Sequence, residues 1–305
     1  MRKILTVRKL KEDLELHTIT KEEFLDRIIT SSYFTTGGLE ISNFFNFFIP
    51  GNVICYGKNE IGYLNSLPFD IRKLRLQKLF LLQPGCIITT APRISIPSEM
   101  LKLANKFHIP VLITARNYHQ MLTSLDFYLT RFFAPEKKIH GTFLEVFGLG
   151  VLILGDSGIG KSECALELIK RGHRLICDDI VTIKKIESGF LIGMGNELTK
   201  YHMEIRGIGI VNIKSLFGIG AVLEEKSLDL VIEFEFFNPE KKYDRLGLEE
   251  EFFEIFGIKV PKKRIPVQHG KNLSIVVETA VLNQHLKYTG EDTAKKFINK
   301  LEEFL

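Results

Sequence analysis

Residues 150–162 read Gly-Val-Leu-Ile-Leu-Gly-Asp-Ser-Gly-Ile-Gly-Lys-Ser, and this stretch decides the fold of the C-terminal half. Residues 155–162 form an uninterrupted G-x-x-x-x-G-K-S pattern between an apolar strand and a helical run. Glycines let the backbone curl so that several N–H groups point inward, and the N-terminus of the next helix adds partial positive charge. The pattern predicts a phosphate-binding loop made of Gly155, Asp156, Ser157, Gly158, Ile159, Gly160, Lys161 and Ser162.

Two side chains of this loop carry the chemistry that the pattern predicts. Lys161 would reach the β- and γ-phosphates of a nucleotide, and the hydroxyl of Ser162 would bind Mg²⁺. A glycine-rich turn that matches by accident is the alternative. The strand before the loop and the helix predicted after it, over residues 161–171 with a stop at Gly172, favour the phosphate-binding interpretation.

Two adjacent acids, Asp178 and Asp179, end a short apolar strand over residues 174–177. In a β-loop-α-β unit of a parallel sheet the ends of the two strands lie side by side, which would place both acids beside the phosphates. Successive side chains of a strand alternate in direction, so one acid can support the metal while the other faces the acceptor. A turn with two solvated aspartates is the alternative interpretation.

Composition excludes several classes of protein. The net charge of +4 over 305 residues is too slight to indicate nucleic-acid binding. The first residues carry charges where a signal peptide needs an apolar core, and no apolar run approaches the ~20 residues that span a bilayer. Neither a nucleic-acid nor a membrane partner is therefore expected. The four cysteines are scattered singly without zinc-ligand spacing, which predicts reduced thiols in a cytoplasmic protein.

The pattern of elements predicts an α/β fold in two domains. Residues 1–133 alternate strands, at about 52–56, 86–90 and 111–114, with helical runs, which predicts a mainly parallel sheet. A proline followed by charges at residues 134–138 marks the boundary, so that the second domain spans residues 134–305 and contains the phosphate-binding loop. Near the end of the chain, a strand is predicted over residues 274–277 and an amphipathic helix over 292–304.

Several segments follow one another across residues 134–305 in a definite order and spacing: His140-Gly141, 155–163, 171–176 running into 178–179, 204–210 and 266–272. In these segments the chain resembles one family, the bacterial HPr kinase/phosphorylases. Residues 38–40 and 97–101 are more loosely similar to the N-terminal domain of that family. Each segment alone is a weak signal, whereas the joint match is specific.

The resemblance implies a bifunctional enzyme whose C-terminal core is similar to phosphoenolpyruvate carboxykinase rather than to eukaryotic protein kinases. Such an enzyme phosphorylates a regulatory serine of the phosphocarrier protein HPr with ATP or pyrophosphate and Mg²⁺. It removes that phosphate with inorganic phosphate, releasing pyrophosphate. The resemblance also implies a cytoplasmic homohexamer that controls carbon catabolite repression and sugar uptake.

The resemblance further implies a role for each site residue. The catalytic positions are His140, Lys161, Asp179 and Arg245. Ser162 and Glu204 bind Mg²⁺, Asp179 takes the proton of the acceptor serine, and Asp178 supports the metal or its orientation. Without the family, residues 204–211 fit a structural strand and tight turn equally well, and Arg245 reads as a solvated loop arginine.

One segment departs from the family pattern. The family reads P-V-x-P-G-R-N in the segment tied to dephosphorylation, and this chain has instead Pro266, Val267, Gln268, His269, Gly270, Lys271 and Asn272. Loss of the proline frees the backbone, and lysine cannot offer a phosphate the bidentate fork of arginine. The hypothesis is that kinase activity is intact and phosphorylase activity is weaker or differently regulated.

Two other functions use the same loop. A small-molecule kinase or carboxykinase-like enzyme would share the core, but a carboxykinase needs further metal-ligating histidines or lysines that the sequence does not identify. A nucleotide sensor without catalysis is expected to lack the pair formed by His140 and Asp179, and both residues are present.

Overall fold

The computed structural model describes residues 4–186, 189–244, 248–268 and 270–304. It divides into two units, Met1–Phe133 and Ala134–Leu305, and each unit mixes helices with strands. The predicted α/β fold in two domains is therefore confirmed. In the described part of the chain, no helix is long and apolar enough to cross a membrane.

Strands and helices alternate through the N-terminal unit. Its strands are β1 (Leu5–Thr6), β2 (His17–Thr18), β3 (Ile28–Ile29), β4 (Phe34–Thr35), β5 (Val53–Tyr56), β6 (Cys86–Thr89) and β7 (Val111–Ile113). Its helices are α1 (Val7–Asp13), α2 (Gly38–Ile41), α3 (Lys58–Ser66), α4 (Phe69–Leu81), α5 (Ser98–Phe107) and α6 (Tyr118–Phe133). The main sheet has the order β2-β7-β6-β5-β4, and strands β4 to β7 run parallel, as predicted.

Both faces of this sheet are covered, which explains why its strands are apolar throughout. Alternate residues of β5 pack on opposite sides: Ile54 belongs to a core with α4 and α5, and Cys55 belongs to a core with α1 and α6. The cysteines Cys55, Cys86, Cys164 and Cys177 are all buried with free thiols, as expected for a reduced protein.

The C-terminal unit contains more strands than helices. Its strands are β8 (Glu136–His140), β9 (Thr142–Val146), β10 (Leu149–Leu154), β11 (Arg174–Cys177), β12 (Ile180–Lys185), β13 (Leu191–Met194), β14 (His202–Ile205), β15 (Gly209–Asn212), β16 (Glu225–Ser227), β17 (Leu230–Phe236), β18 (Glu251–Ile255) and β19 (Ile258–Val267). Its helices are α7 (Lys161–Lys170), α8 (Ile213–Phe217), α9 (Leu273–Tyr288) and α10 (Thr293–Phe304).

The central sheet of this unit has the order β11-β9-β10-β17-β19-β18. Strands β10, β17 and β19 are parallel, whereas β9 runs antiparallel to both β10 and β11. The sequence-based expectation that β10 and β11 are neighbours is wrong, because β9 lies between them. Strand β9 comes earlier in the chain and joins β10 by a tight turn at Phe147-Gly148, which the local β-loop-α-β pattern does not reveal.

The central sheet lies between helices and a second sheet. Val151 and Ile153 of β10 pack in a core with Leu168 of α7 and Val277 of α9. Leu152, which faces the other way, packs in a core with residues of the β16-β13-β12-β8 sheet, including Val181. This alternation follows the period of two in a strand, and it places β10 between two cores just before the loop begins.

The strand predicted over residues 274–277 is wrong, since these residues lie in helix α9. The run of β-branched residues there favours a strand locally. Two features favour the helix: the Asn272 side chain caps it by accepting from Ile275 N at 3.1 Å, and the buried positions follow helical spacing. Those buried positions are Ser274, Val277, Val281 and Gln284.

Candidate active site

The loop at residues 155–162 is held in a conformation that requires glycine. Gly155, Gly158 and Gly160 have φ values of 146°, 79° and 100°, a region that favours glycine. A Cβ atom at Gly155 would also lie only 2.7 Å from the carbonyl oxygen of Phe234 in β17. The side chain of Ile159 is buried in the core beside α7, which anchors the exposed loop to the sheet.

Lys161 begins helix α7 and folds back across the loop. Its Nζ donates to the carbonyl oxygens of Gly155 and Asp156 at 2.7 and 2.9 Å. Two of its three N–H donors are therefore used by the loop itself, and the ammonium lies within the curve of the backbone. This arrangement gives the loop a fixed positive charge where a phosphate would enter.

A buried carboxylate connects the loop helix to the strand ends. Asp178 Oδ2 accepts a hydrogen bond from Ser162 Oγ at 3.1 Å, and Asp178 Oδ1 accepts one from Thr142 Oγ1 at 2.7 Å. Burial raises the pKa of the Asp178 carboxyl, and the charge of Asp179 acts in the same direction; the two hydrogen bonds oppose them. Only 8% of Asp178 is exposed, so its orientation is set by the two hydroxyls.

The neighbouring acid points outward. The Asp179 side chain is 78% exposed, and its Oδ1 lies 3.4 Å from Nδ1 of His140, whose side chain is 82% exposed. Asp179 has φ of 75°, and its carbonyl accepts from the backbone N–H of Gly141 at 3.0 Å. Left-handed conformations are rare outside glycine and occur preferentially at Asp and Asn, often at functional sites. The two acids thus lie on opposite sides of the chain, one inside and one in solvent.

The hairpin β14–β15 forms the opposite wall of the site. Met203 and Ile205 are buried in the core, so the alternate residues, His202 and Glu204, face away from it. Arg206 follows the strand and lies against the loop, because a Cβ atom at Gly158 would be 2.9 Å from its Nη2.

These elements enclose one cleft of about 540 Å³. It brings together the following residues predicted from the sequence: His140, Gly155, Ser157, Gly158, Gly160, Lys161, Ser162, Asp178, Asp179 and Glu204. Asp156 and Ile159 belong to the same loop but do not line the cleft. Arg245 and His269 lie outside the described residues.

The segment of residues 266–271 lies at the same edge of the central sheet as the loop. Pro266 and Val267 end β19, which runs parallel to β17 next to β10, and Gly270 has φ of 83°. None of the residues described in this segment lines the 540 Å³ cleft. Helix α9, which follows this segment, lies next to the loop: a Cβ atom at Gly160 would lie 3.7 Å from the side chain of Leu273, the first residue of α9.

Ion pairs and hydrogen bonds fix α7 against α9. Glu278 of α9 is paired with Arg171 at 3.2 Å and with Nε2 of His173 at 3.0 Å. Glu167 of α7 accepts from Asn272 at 2.8 Å, and hydrogen bonds from Asn272 and Arg171 lower the pKa of the Glu167 carboxyl to about 2. Helix α9 and its capping residue Asn272 therefore support α7, the helix that carries Lys161 and Ser162.

Sequence reasoning assigns no role to two residues that shape the site. Thr142 does not line the cleft but holds Asp178, and Arg206 lines the cleft and lies against Gly158. The hydroxyl of a single threonine gives no local signal, because its partner is 36 residues away. Further residues that line the cleft are Glu163, Thr199, His202, Met203 and Ile210.

Comparison with known proteins identifies related chains across both units. A family model described as the HPr Serine kinase N terminus matches residues 5–129, and one described as the HPr Serine kinase C-terminal domain matches residues 131–301. The HPr kinase/phosphorylase of Leptospira biflexa is 40% identical over 305 residues, which span 98% of this chain and 94% of that protein. The HPr kinase/phosphorylase of Geobacillus thermodenitrificans is 38% identical over 293 residues, with 96% and 94% covered. A solved structure, the Hpr(Ser) kinase/phosphatase from Coxiella burnetii, is 39% identical, covers 53% of this chain and 98% of its own, and has a TM-score of 0.48.

Replacing Asp178 with asparagine is expected to stabilise the protein at neutral pH in metal-free buffer. A raised pKa means that the folded state binds the proton more tightly than the unfolded chain, so wild-type stability falls as pH rises above the ordinary value of 3.8. Asparagine keeps partners for Thr142 and Ser162 without the buried charge. Urea denaturation at a series of pH values between about 4 and 8 measures the free energy of unfolding. The difference in this free energy between Asp178→Asn and wild type should grow with pH. The exposed control Asp126→Asn should show no such trend, and a variant that is less stable than wild type at neutral pH would contradict this assignment.

Proposed function

Because the chain belongs to the HPr kinase/phosphorylase family, we propose that its cleft transfers a phosphoryl group to a serine of HPr and removes it again. The resemblance noted in the sequence motifs is confirmed by both family models and by relatives that match nearly the whole chain. One observation carries the proposal: the exposed carboxylate of Asp179 lines the same cleft as the phosphate-binding loop. That arrangement gives a proton acceptor and a phosphate site within reach of one another.

The donor set of the cleft suits Mg²⁺ and a nucleotide. Ser162 contributes a hydroxyl and Glu204 a carboxylate to the same cleft, and oxygen donors of this kind are those that Mg²⁺ prefers. We propose that these two residues hold Mg²⁺ and that ATP or pyrophosphate is the phosphoryl donor. When bound, Mg²⁺ would neutralise charge on the phosphates. Asp178 holds the Ser162 hydroxyl and so orients one of the two donors.

In the forward direction, the oxygen of the HPr serine attacks the terminal phosphorus of the donor. The bond from that phosphorus to the bridging oxygen breaks, and the leaving group is ADP, or phosphate when pyrophosphate is the donor. Asp179 accepts the proton of the serine hydroxyl. Lys161 and the loop amides hold the phosphate oxygens, where charge spreads in the transition state.

The exposure of Asp179 supports a protein rather than a small molecule as acceptor. A serine on the surface of another protein cannot enter a deep pocket, so the base must protrude to meet it. Asp179 and His140 protrude together, at the edge of the cleft. His140 is proposed to orient the Asp179 carboxylate through the 3.4 Å contact, and Arg245 to stabilise charge on the transferred group.

The reverse direction needs no second site. An oxygen of inorganic phosphate attacks the phosphorus of phosphoserine, the bond to the serine oxygen breaks, and pyrophosphate forms. Asp179 then returns a proton to the serine oxygen, since the same group must serve both directions of one reaction. Residues 266–271 are proposed to favour this direction.

We also propose a homohexamer in the cytoplasm. Helix α9 exposes Ile275, Leu282 and Leu286, spaced by seven and four residues so that they share one helical face. An exposed apolar stripe of this kind supports contacts between copies of the chain. The buried free thiols suit a reducing compartment; burial raises the pKa of Cys55, for instance, to about 12.

Replacing Asp179 with asparagine is expected to abolish transfer while nucleotide binding is retained. Asparagine has nearly the same shape but cannot accept the serine proton, and general-base catalysis contributes about 10²- to 10⁴-fold. Rates of HPr phosphorylation and ATP affinity by calorimetry provide the two readouts. The control Lys161→Ala should lose nucleotide affinity as well as activity. If Asp179→Asn loses ATP affinity as Lys161→Ala does, Asp179 is a binding residue and the proposed role is wrong.

Restoring the family pattern with His269→Pro/Lys271→Arg is expected to raise the rate of phosphorolysis and leave the kinase rate unchanged. Proline restricts the backbone before Gly270, and arginine offers two parallel hydrogen bonds to a phosphate. Phosphoserine-HPr with inorganic phosphate is the substrate, and released pyrophosphate is measured. The single variants separate the two contributions. Comparable phosphorolysis rates for wild type and the double variant would refute the hypothesis that this departure weakens the reverse reaction.

A further inference from the structure

The N-terminal unit contains a cavity that the proposed function does not use. Its volume is about 1130 Å³, compared with 540 Å³ for the cleft around the phosphate-binding loop. It lies beyond Tyr56, Thr89 and Ile113, the last residues of the parallel strands β5, β6 and β7. In open α/β sheets, the crevice outside the carboxyl ends of parallel strands is the usual place for a ligand.

The walls of this cavity are formed by the segments that follow the three strands. Helix α3 starts directly after β5, and α6 starts a few residues after β7, so both helices begin at the cavity. Gly57 permits their close approach, because a Cβ atom there would lie 3.0 Å from the ring of Tyr118. Glu60 caps α3 by accepting from Gly57 N at 2.9 Å, and Asn117 caps α6 by accepting from Gln120 N at 2.9 Å.

The charged side chains that line the cavity are mainly cationic. Lys58 and Arg116 line it, and among the described residues Lys58 has no hydrogen-bonding or ion-pair partner. Arg116 lies 3.5 Å from Glu15, whose side chain is 84% exposed, so this pair is weak, and Arg116 also donates to Ser124 Oγ at 3.4 Å. Two imidazoles, those of His17 and His119, also line the cavity. Among the described residues, Glu60 is the one acid that lines the cavity, and its carboxylate is engaged in capping α3.

The rest of the lining is mixed: it includes apolar and aromatic residues as well as the uncharged polar residues Asn59, Thr90, Thr114, Asn117 and Gln120. Ala91 and Pro92 follow β6, and Ile113, Ala115 and Tyr118 come from the end of β7 and the start of α6. Ligand sites typically combine such a lining with a few convergent polar groups and have volumes of about 300–1,000 Å³. The cavity is therefore large enough for a molecule of nucleotide size, with room for water.

We propose that this cavity binds a small organic phosphate. The phosphate would lie near Lys58 and Arg116, and the body of the molecule would rest on the apolar and aromatic lining. A lysine and an arginine beside helix N-termini provide both charge and N–H donors for a phosphate. All the residues that line this cavity belong to the N-terminal unit, and none of them belongs to the phosphate-binding loop.

Calorimetry on the full chain with adenosine 5′-monophosphate tests the proposal. The reference protein and every variant carry Lys161→Met, so that the phosphate-binding loop contributes little to the measured binding of the nucleotide. Saturable binding with a Kd below about 1 mM is expected, and inorganic phosphate should bind more weakly because it lacks the organic body. Lys58→Glu/Arg116→Glu should weaken binding by at least about tenfold.

Two further variants control for net charge and for folding. Lys102→Glu/Lys106→Glu reverses two exposed charges on α5 and should leave binding unchanged. If the double variant does not fold, Lys58→Glu alone replaces it in the test. Residue 58 is exposed, and this single change should also weaken binding. The proposal is overturned if the nucleotide shows no saturable binding up to about 10 mM, or if reversal of the charges at 58 and 116 leaves its affinity unchanged.

Discussion

The buried carboxylate of Asp178 is the constraint on which the rest of the site depends. It accepts hydrogen bonds from Thr142 on β9 and from Ser162 on α7, and both of its oxygens are thereby engaged. A buried charge without partners is strongly destabilising, so the two hydroxyls and the carboxylate must stay together. This contact fixes the phosphate-binding loop relative to the turn after β11. It also determines that the next residue, Asp179, points into solvent.

The proposed chemistry follows from this separation of two adjacent acids. The inner acid orients a hydroxyl proposed to hold Mg²⁺, and the outer acid is free to meet a serine on another protein. His140 is the last residue of β8, which pairs with β12, and the backbone N–H of the next residue, Gly141, donates to the carbonyl oxygen of Asp179 at 3.0 Å. The kinase and phosphorylase reactions can then use one cleft. In each reaction the nucleophile attacks the phosphorus from the side on which the leaving group of the other reaction departs.

Local features were predictable from the sequence, and contacts between distant segments were not. The loop is specified by its own glycines and by the apolar Ile159, and helix α7 ends within one residue of its predicted end. The insertion of β9 between β10 and β11 depends on pairing across the sheet, which no local pattern records. Thr142 was missed for the same reason. Residues 274–277, in the first turns of helix α9, were predicted as a strand because β-branched residues have strand propensity, whereas the cap at Asn272 and the packing of α9 on the core favour the helix. Glu204 was found only through the family resemblance.

The most direct test of the account is to incubate the protein with HPr, Mg²⁺ and either γ-labelled ATP or labelled pyrophosphate, and to map the label on HPr by mass spectrometry. The account predicts label on a serine of HPr with at least one of the two donors. It further predicts release of that label as pyrophosphate when inorganic phosphate is added. Absence of label from the HPr serine with both donors would contradict the account.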